Sequence, residues 1–126
     1  MSAPTVSASG NTATVTFPSE AIVYRNFTLT SHTTKSQQIV SIKVDDESAK
    51  EYRIAGGDSK GSTATLPKTA KKVVFTFTYD ADGESKTSKV RVGGPWAWEG
   101  TQSMIMCAEN GDDVDYNDAM VQLAFK

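Results

Sequence analysis

The chain has little of what catalysts and nucleic-acid binders rely on: one cysteine and one histidine in 126 residues, and no excess of basic charge. A single thiol, Cys107, excludes an internal disulfide, and with only His32 beside it the chain cannot build a thiolate–imidazole zinc centre. Cys107 sits in Ser103-Met104-Ile105-Met106-Cys107-Ala108 and is expected as a buried core thiol. His32 has no nucleophile near it in sequence and reads as a loop residue, not a base. Thirteen Lys and Arg against fifteen Asp and Glu leave a net charge of −2, with pI ≈ 5.3. That balance excludes nucleic acid as a partner, because phosphate recognition needs a basic face. No apolar run approaches the ~20 residues of a membrane span, so no membrane insertion is expected. No N-terminal apolar segment marks a secretory signal. Cytoplasmic synthesis is therefore expected, with any passage to the cell surface or the extracellular space by a route the sequence does not show. A helical stripe is also lacking throughout.

What is present is alternation. Ala13, Val15 and Phe17 alternate with Thr, and Val73, Phe75, Phe77 and Tyr79 alternate with Val74, Thr76 and Thr78, a period of two that builds half-buried strands. Similar runs cover about 21–30, 37–45, 49–54, 62–66, 86–92, 102–108 and 119–125. Turn chemistry separates them at Ser9-Gly10-Asn11, Gly56-Gly57-Asp58, Asp80-Ala81-Asp82-Gly83 and Gly93-Gly94-Pro95. The pattern predicts an all-β chain, a single domain over residues 1–126, folded as an antiparallel β-sandwich of roughly nine strands.

Just before the last run lies Glu109-Asn110-Gly111-Asp112-Asp113-Val114-Asp115-Tyr116-Asn117-Asp118. An acidic run is ordinarily a solvated face. Here no Lys or Arg occurs from Glu99 through Phe125 to neutralise it, and apolar residues alternate with the acids. Crowded like charges destabilise a folded segment unless a cation sits among them. Asp, Asn and Glu at short spacing are hard oxygen ligands, which suits Ca²⁺ better than Mg²⁺ with its retained waters. An EF-hand does not fit: counted from Asp113, the turn glycine is replaced by Asp118 and the final Glu by Ala124. The carboxylates of Glu109, Asp113, Asp115 and Asp118 carry four charges, which two Ca²⁺ ions per chain would balance, with Asn117 adding a neutral oxygen.

The motif Glu-x-Gly-x-Asp-x-Asp-Tyr-Asn-Asp-Ala, written here from Glu109 to Ala119 and followed by a final apolar strand, resembles the two-calcium fucose/mannose-binding bacterial lectins of the PA-IIL type. Val15-Thr16-Phe17-Pro18 and Val44-Asp45-Asp46-Glu47 resemble that family's N-terminal strands. The resemblance implies a calcium-dependent lectin in which adjacent hydroxyls of a fucose/mannose-type monosaccharide bind a pair of Ca²⁺ ions directly. It implies metal ligands at Glu109, Asp113, Asp115, Asn117 and Asp118, with Thr33 adding a backbone carbonyl. Sugar contacts would fall at Asn110, Asp113, Asp115 and Asn117. Thr34, Lys35 and Ser36 would take the selectivity positions, and the Thr34 hydroxyl leans towards fucose. Two departures stand out. Asn110 replaces an Asp that hydrogen-bonds the sugar. The family's closing Trp-Pro-x-Gly, whose terminal carboxylate completes a neighbour's calcium site, is here Phe125-Lys126. That exchange is not expected to carry over, so Asp112, water or another carboxylate would substitute, and a homo-oligomer is left open.

Trp96 and Trp98 in Gly94-Pro95-Trp96-Ala97-Trp98 share one face of an extended segment. Packing in the core or an interface is the first expectation, with a second carbohydrate contact as the alternative. Asn26-Phe27-Thr28 reads as strand sequence, not as a glycosylation site. An enzyme is not expected, since metal-bound carboxylates stay ionised where a glycosidase acid needs its pKa raised. The reading from another class is a structural or adhesin-like β domain in which calcium only rigidifies the acidic loop.

Overall fold

Period-two alternation builds two facing sheets. The computed structural model describes residues 4–18, 25–31, 37–54, 60–67, 69–81, 83–109 and 119–126. Among the described residues there are eleven strands and no helix. They are β1 (Thr5–Ser9), β2 (Thr12–Thr16), β3 (Arg25–Ser31), β4 (Gln37–Val44), β5 (Lys50–Ile54) and β6 (Lys60–Thr65). The chain continues through β7 (Lys72–Ala81), β8 (Glu84–Thr87), β9 (Lys89–Trp98), β10 (Thr101–Glu109) and β11 (Ala119–Phe125). One sheet runs β1-β2-β7-β4-β5 with β8 beside β7, and the other β6-β3-β11-β10-β9. Every pairing is antiparallel.

The inward rows make one core. Val15, Val40, Val73, Phe75 and Phe77 from the first sheet meet Phe27, Leu29, Met104, Met106, Val121 and Leu123 from the second. Edge-to-face rings tie the sheets together: Phe27 lies 5.4 Å from Tyr52 and 6.2 Å from Phe75. Phe17, just past β2, meets Phe125 of β11 at 5.7 Å. Beneath this corner the guanidinium of buried Arg25 lies 3.8 Å from the centre of the Phe17 ring. Its Nη1 donates to the carbonyls of Pro67 and Ala70 at 3.0 and 2.6 Å, so the buried charge is met by carbonyl dipoles and a π face.

The all-β antiparallel sandwich agrees with the sequence expectation; the details differ in four places. β1 and β8 raise the strand count. Their side chains are largely exposed, so they lack the apolar alternation that reveals a strand. Gly93-Gly94-Pro95 is not a turn but part of β9, with a cis Gly94–Pro95 bond and Gly94 at φ 99. Its pairing with β10 shifts register between Ser103 and Ile105. β9 is the edge of its sheet, where a proline removes no ladder hydrogen bond. Cys107 is half-buried, not in the core, because Met104, Met106 and Ala108 take the inward positions of β10. Burial pushes its thiol pKa up. Trp96 is 56% exposed, which removes it from the core. Gly56-Gly57-Asp58 lies outside the described residues.

Candidate functional site

The expected site lies on the connection between β10 and β11, and the two strands hold its ends tightly. Ala108 is paired with Ala119, and both are buried. Small side chains at this pair let the strand ends approach closely under whatever stands above them. Ala119 is also paired with Ser31, the last residue of β3, and Ser31 with Lys60, the first of β6. Lys89 at the start of β9 faces Glu109. Neighbouring strands stand about 4.8 Å apart, so the anchors of three segments line up side by side: 110–118, 32–36 and 55–59.

Residues 32–36 carry the chain from β3 in one sheet to β4 in the other, and residues 55–59 return it from β5 to β6. Five residues span at most about 20 Å between flanking Cα atoms. Both crossings therefore join the sheets at one end of the sandwich, the end at which β10 stops and β11 begins. The topology thus anchors the segment of Thr33, Thr34, Lys35 and Ser36 one strand away from the acidic segment.

Of the expected ligands, Glu109 is the one within the described residues. It is the last residue of β10 and is only 4% exposed. Alternation would turn it outward, since Ala108 before it faces the core, yet it is withdrawn from water. A carboxylate removed from water is strongly disfavoured unless a cation or several donors compensate it. Glu109 has a partner within the fold, and Lys89 stands opposite it in β9. Asn110, Asp112, Asp113, Asp115, Asn117, Asp118, Thr33, Thr34, Lys35 and Ser36 lie outside the described residues, as does His32. Among the described residues, no three His, Cys, Asp or Glu side chains come together as a metal site.

The other acidic stretch, Val44-Asp45-Asp46-Glu47, has a structural task at the opposite end of β4. The Asp45 carboxylate accepts the backbone N–H groups of Lys71 and Lys72 at 3.0 and 2.9 Å. Those two bonds hold its pKa below the usual carboxylate range. Asp45 itself adopts a φ of 50, a left-handed turn position that Asp tolerates. A cavity of about 500 Å³ opens beside it among Lys43, Asp46 and Lys72, a lining of mixed charge. Sequence reasoning missed Arg25 and its carbonyl cradle, for which no local pattern exists.

The profile of the family described as fucose-binding lectin II (PA-IIL) matches residues 15–126. Among solved structures, the Chromobacterium violaceum lectin CV2L, in complex with alpha-methyl-fucoside, superposes with a TM-score of 0.70 at 22% identity, covering 94% of this chain and 98% of that one. The C-terminal domain of the BC2L-C lectin from Burkholderia cenocepacia gives 0.67 at 23% identity, with 97% and 98% covered. The Ralstonia solanacearum high-affinity mannose-binding lectin gives 0.68 at 18% identity, with 90% and 95% covered. No curated protein matches in sequence. At these identities the structural likeness speaks for the fold: the same β-sandwich over nearly the whole chain.

Proposed function

The chain belongs to the fucose-binding lectin II (PA-IIL) family, and from that premise we propose that it is a calcium-dependent lectin for fucose/mannose-type glycans. The observation that carries the reading is the extent of the family match, which runs over residues 15–126. It therefore includes the acidic segment, the buried Glu109 at its root and the neighbouring 32–36 segment. A binding protein, not an enzyme, is the activity that follows.

In this reading Glu109, Asp113, Asp115, Asn117 and Asp118 hold two Ca²⁺ ions, joined by the backbone carbonyl of Thr33. Their fit rests on donor chemistry: hard oxygens at short spacing, and four carboxylates among them within a stretch, Glu99 through Phe125, that carries no Lys or Arg. Calcium, when bound, supplies positive centres at which two adjacent sugar hydroxyls can replace water. The chain's own part is to orient those hydroxyls. Asp113 and Asp115 accept their protons in short charge-assisted hydrogen bonds, and Asn110 and Asn117 add amide contacts. Thr34, Lys35 and Ser36 read the remainder of the ring and set the ranking among sugars.

The test is binding of immobilised α-fucosides and α-mannosides at micromolar protein, with calcium and then with chelator. Binding that disappears with chelator and returns with calcium supports the reading. Calcium uptake without any glycan binding would favour a structural β domain in which the ion only stiffens the segment.

A further inference from the structure

At the end of the β1-β2-β7-β4-β5 sheet farthest from the acidic segment, we infer a second binding site, for an anionic saccharide, in the groove lined by Lys43, Lys71 and Lys72. Strand register puts the lysines together. Lys43, near the end of β4, is opposite Val74, and Lys72 opens β7 two residues before Val74. The two lysines are thus diagonal neighbours, about 7–8 Å apart, and Lys71 adjoins Lys72. Hydrogen bonds fix the backbone of this wall. The Asp45 N–H donates to the Lys72 carbonyl and the Phe17 N–H to the Lys71 carbonyl, both at 2.8 Å. Asp45 Oδ1 accepts in return from the N–H groups of Lys71 and Lys72. Together with Asp46 and the half-buried Val74, these residues line about 500 Å³, within the range of small-molecule sites. From Gln37, where β4 begins beside the 32–36 crossing, to Lys43 is six residues of strand, about 20 Å. The two sites are therefore separate.

Charge selects the class of ligand. Among the described residues the ion pairs belong to Arg53, with Glu51 and Asp80, so no carboxylate closes on Lys43, Lys71 or Lys72 within ion-pair distance. Three lysines against two aspartates leave the lining positive, in a chain whose net charge is −2. One of those aspartates, Asp45, is already committed to two backbone N–H groups. Like charges around one groove are relieved when an anion sits between them. Lysine supplies compact charges with rotatable donors, which suit a sulfate or carboxylate group and impose no planar two-point geometry. Asp46 narrows the choice further. Its exposed carboxylate repels a bare polyanion but accepts sugar hydroxyls in charge-assisted hydrogen bonds. Val74 offers an apolar patch to the ring, and Thr14 beside Val74 and Thr16 beside Lys72 add hydroxyls one strand away. An anionic membrane would need an apolar side chain to insert, and the one large exposed hydrophobe among the described residues, Trp96, is on the other sheet. Single-stranded nucleic acid would need aromatic stacking, and no described aromatic residue lines the groove. A saccharide carrying both hydroxyls and acidic groups is the better match.

Calcium has no part in this site, so the full chain is titrated in chelator and at low salt, where surface charges are least screened. The probes are a partly sulfated dextran oligosaccharide, neutral dextran of the same length, inorganic polyphosphate of the same charge, and phosphatidylglycerol vesicles. Calorimetry is expected to show saturable binding of the sulfated oligosaccharide with a Kd of about 0.1 mM, none of neutral dextran, and binding of polyphosphate and vesicles weaker by about tenfold or more. Lys43→Glu and Lys72→Glu, on neighbouring strands, each weaken the sulfated saccharide by about tenfold or more. Lys86→Glu makes the same change in net charge on the exposed strand β8 and leaves binding within about twofold. All three variants keep the native circular dichroism. Three results would overturn the inference: no saturable binding of the sulfated oligosaccharide, an equal loss in Lys86→Glu, or polyphosphate or vesicles bound as tightly as the sulfated saccharide.

Discussion

Asp112 and Asp115 are the same residue type three positions apart in one segment, and the account gives them different tasks. Asp115→Asn keeps size and shape but removes one negative charge from a set that must balance two dications. Sugar binding at millimolar calcium is expected to be abolished. Asp112→Asn makes the same chemical change at a position where the resemblance requires no acid, and binding should stay within about tenfold, roughly 1.4 kcal/mol; loss of binding in both variants would instead make Asp112 the substitute for the family's terminal carboxylate. Calorimetry on the two variants decides it, and normal sugar binding by Asp115→Asn would remove the segment from the site altogether. Selectivity belongs to the same scale. Replacing Thr34, Lys35 and Ser36 should re-rank fucose against mannose, with changes of about 1–3 kcal/mol per lost polar contact, while calcium affinity stays nearly intact. A triple replacement that leaves the ranking unaltered would assign sugar reading to another loop.

The strand β9 shows how an element can hide from a periodicity argument. Gly94 at φ 99 lies where an added Cβ would come within 2.9 Å of the Ser103 carbonyl and 3.0 Å of the Met104 Cα. Gly94→Ala therefore meets both backbone strain and a backbone neighbour, and it should destabilise the fold by more than about 1 kcal/mol in chemical denaturation. Unchanged stability would mean that the β9–β10 register does not depend on this glycine. Gly-Gly-Pro reads as a turn because glycine and proline punctuate most chains; in the fold an edge position and a shift in register absorb all three residues. By contrast, β11 was legible to the residue: Ala119, Val121, Leu123 and Phe125 are buried in strict alternation, and a two-sided strand with one wet face leaves that signature. β7 was legible for the same reason. β1 and β8 were not, since edge strands with exposed side chains carry no apolar stripe. In the proposed site, the acid cluster is readable because charge without local neutralisation along the chain is a sequence property. The closeness of the strand ends that flank residues 32–36 and 110–118 needed topology, because the pairing of Ser31 with Ala119 joins residues 88 positions apart, 119 less 31.

At the scale of the whole molecule, the strand ends flanking the two crossings between the sheets and the β10–β11 connection share one end, so the proposed ion binding there would be coupled to the integrity of the sandwich. An ion that binds only the folded chain stabilises it by about 2.7 kcal/mol at a hundredfold excess over its Kd. Chelator should accordingly lower the melting temperature by roughly 10 °C for a domain of this size. Calcium should restore it and magnesium should not; identical melting curves with and without chelator would mean that the acids are only a solvated face. The acidic segment is proposed to hold a pair of Ca²⁺ ions, and a direct count tests it. Calcium titrated calorimetrically into the metal-free chain is predicted to saturate at two ions per chain in the wild type and at fewer in Asp115→Asn. Saturation at one ion or none in the wild type would contradict the account.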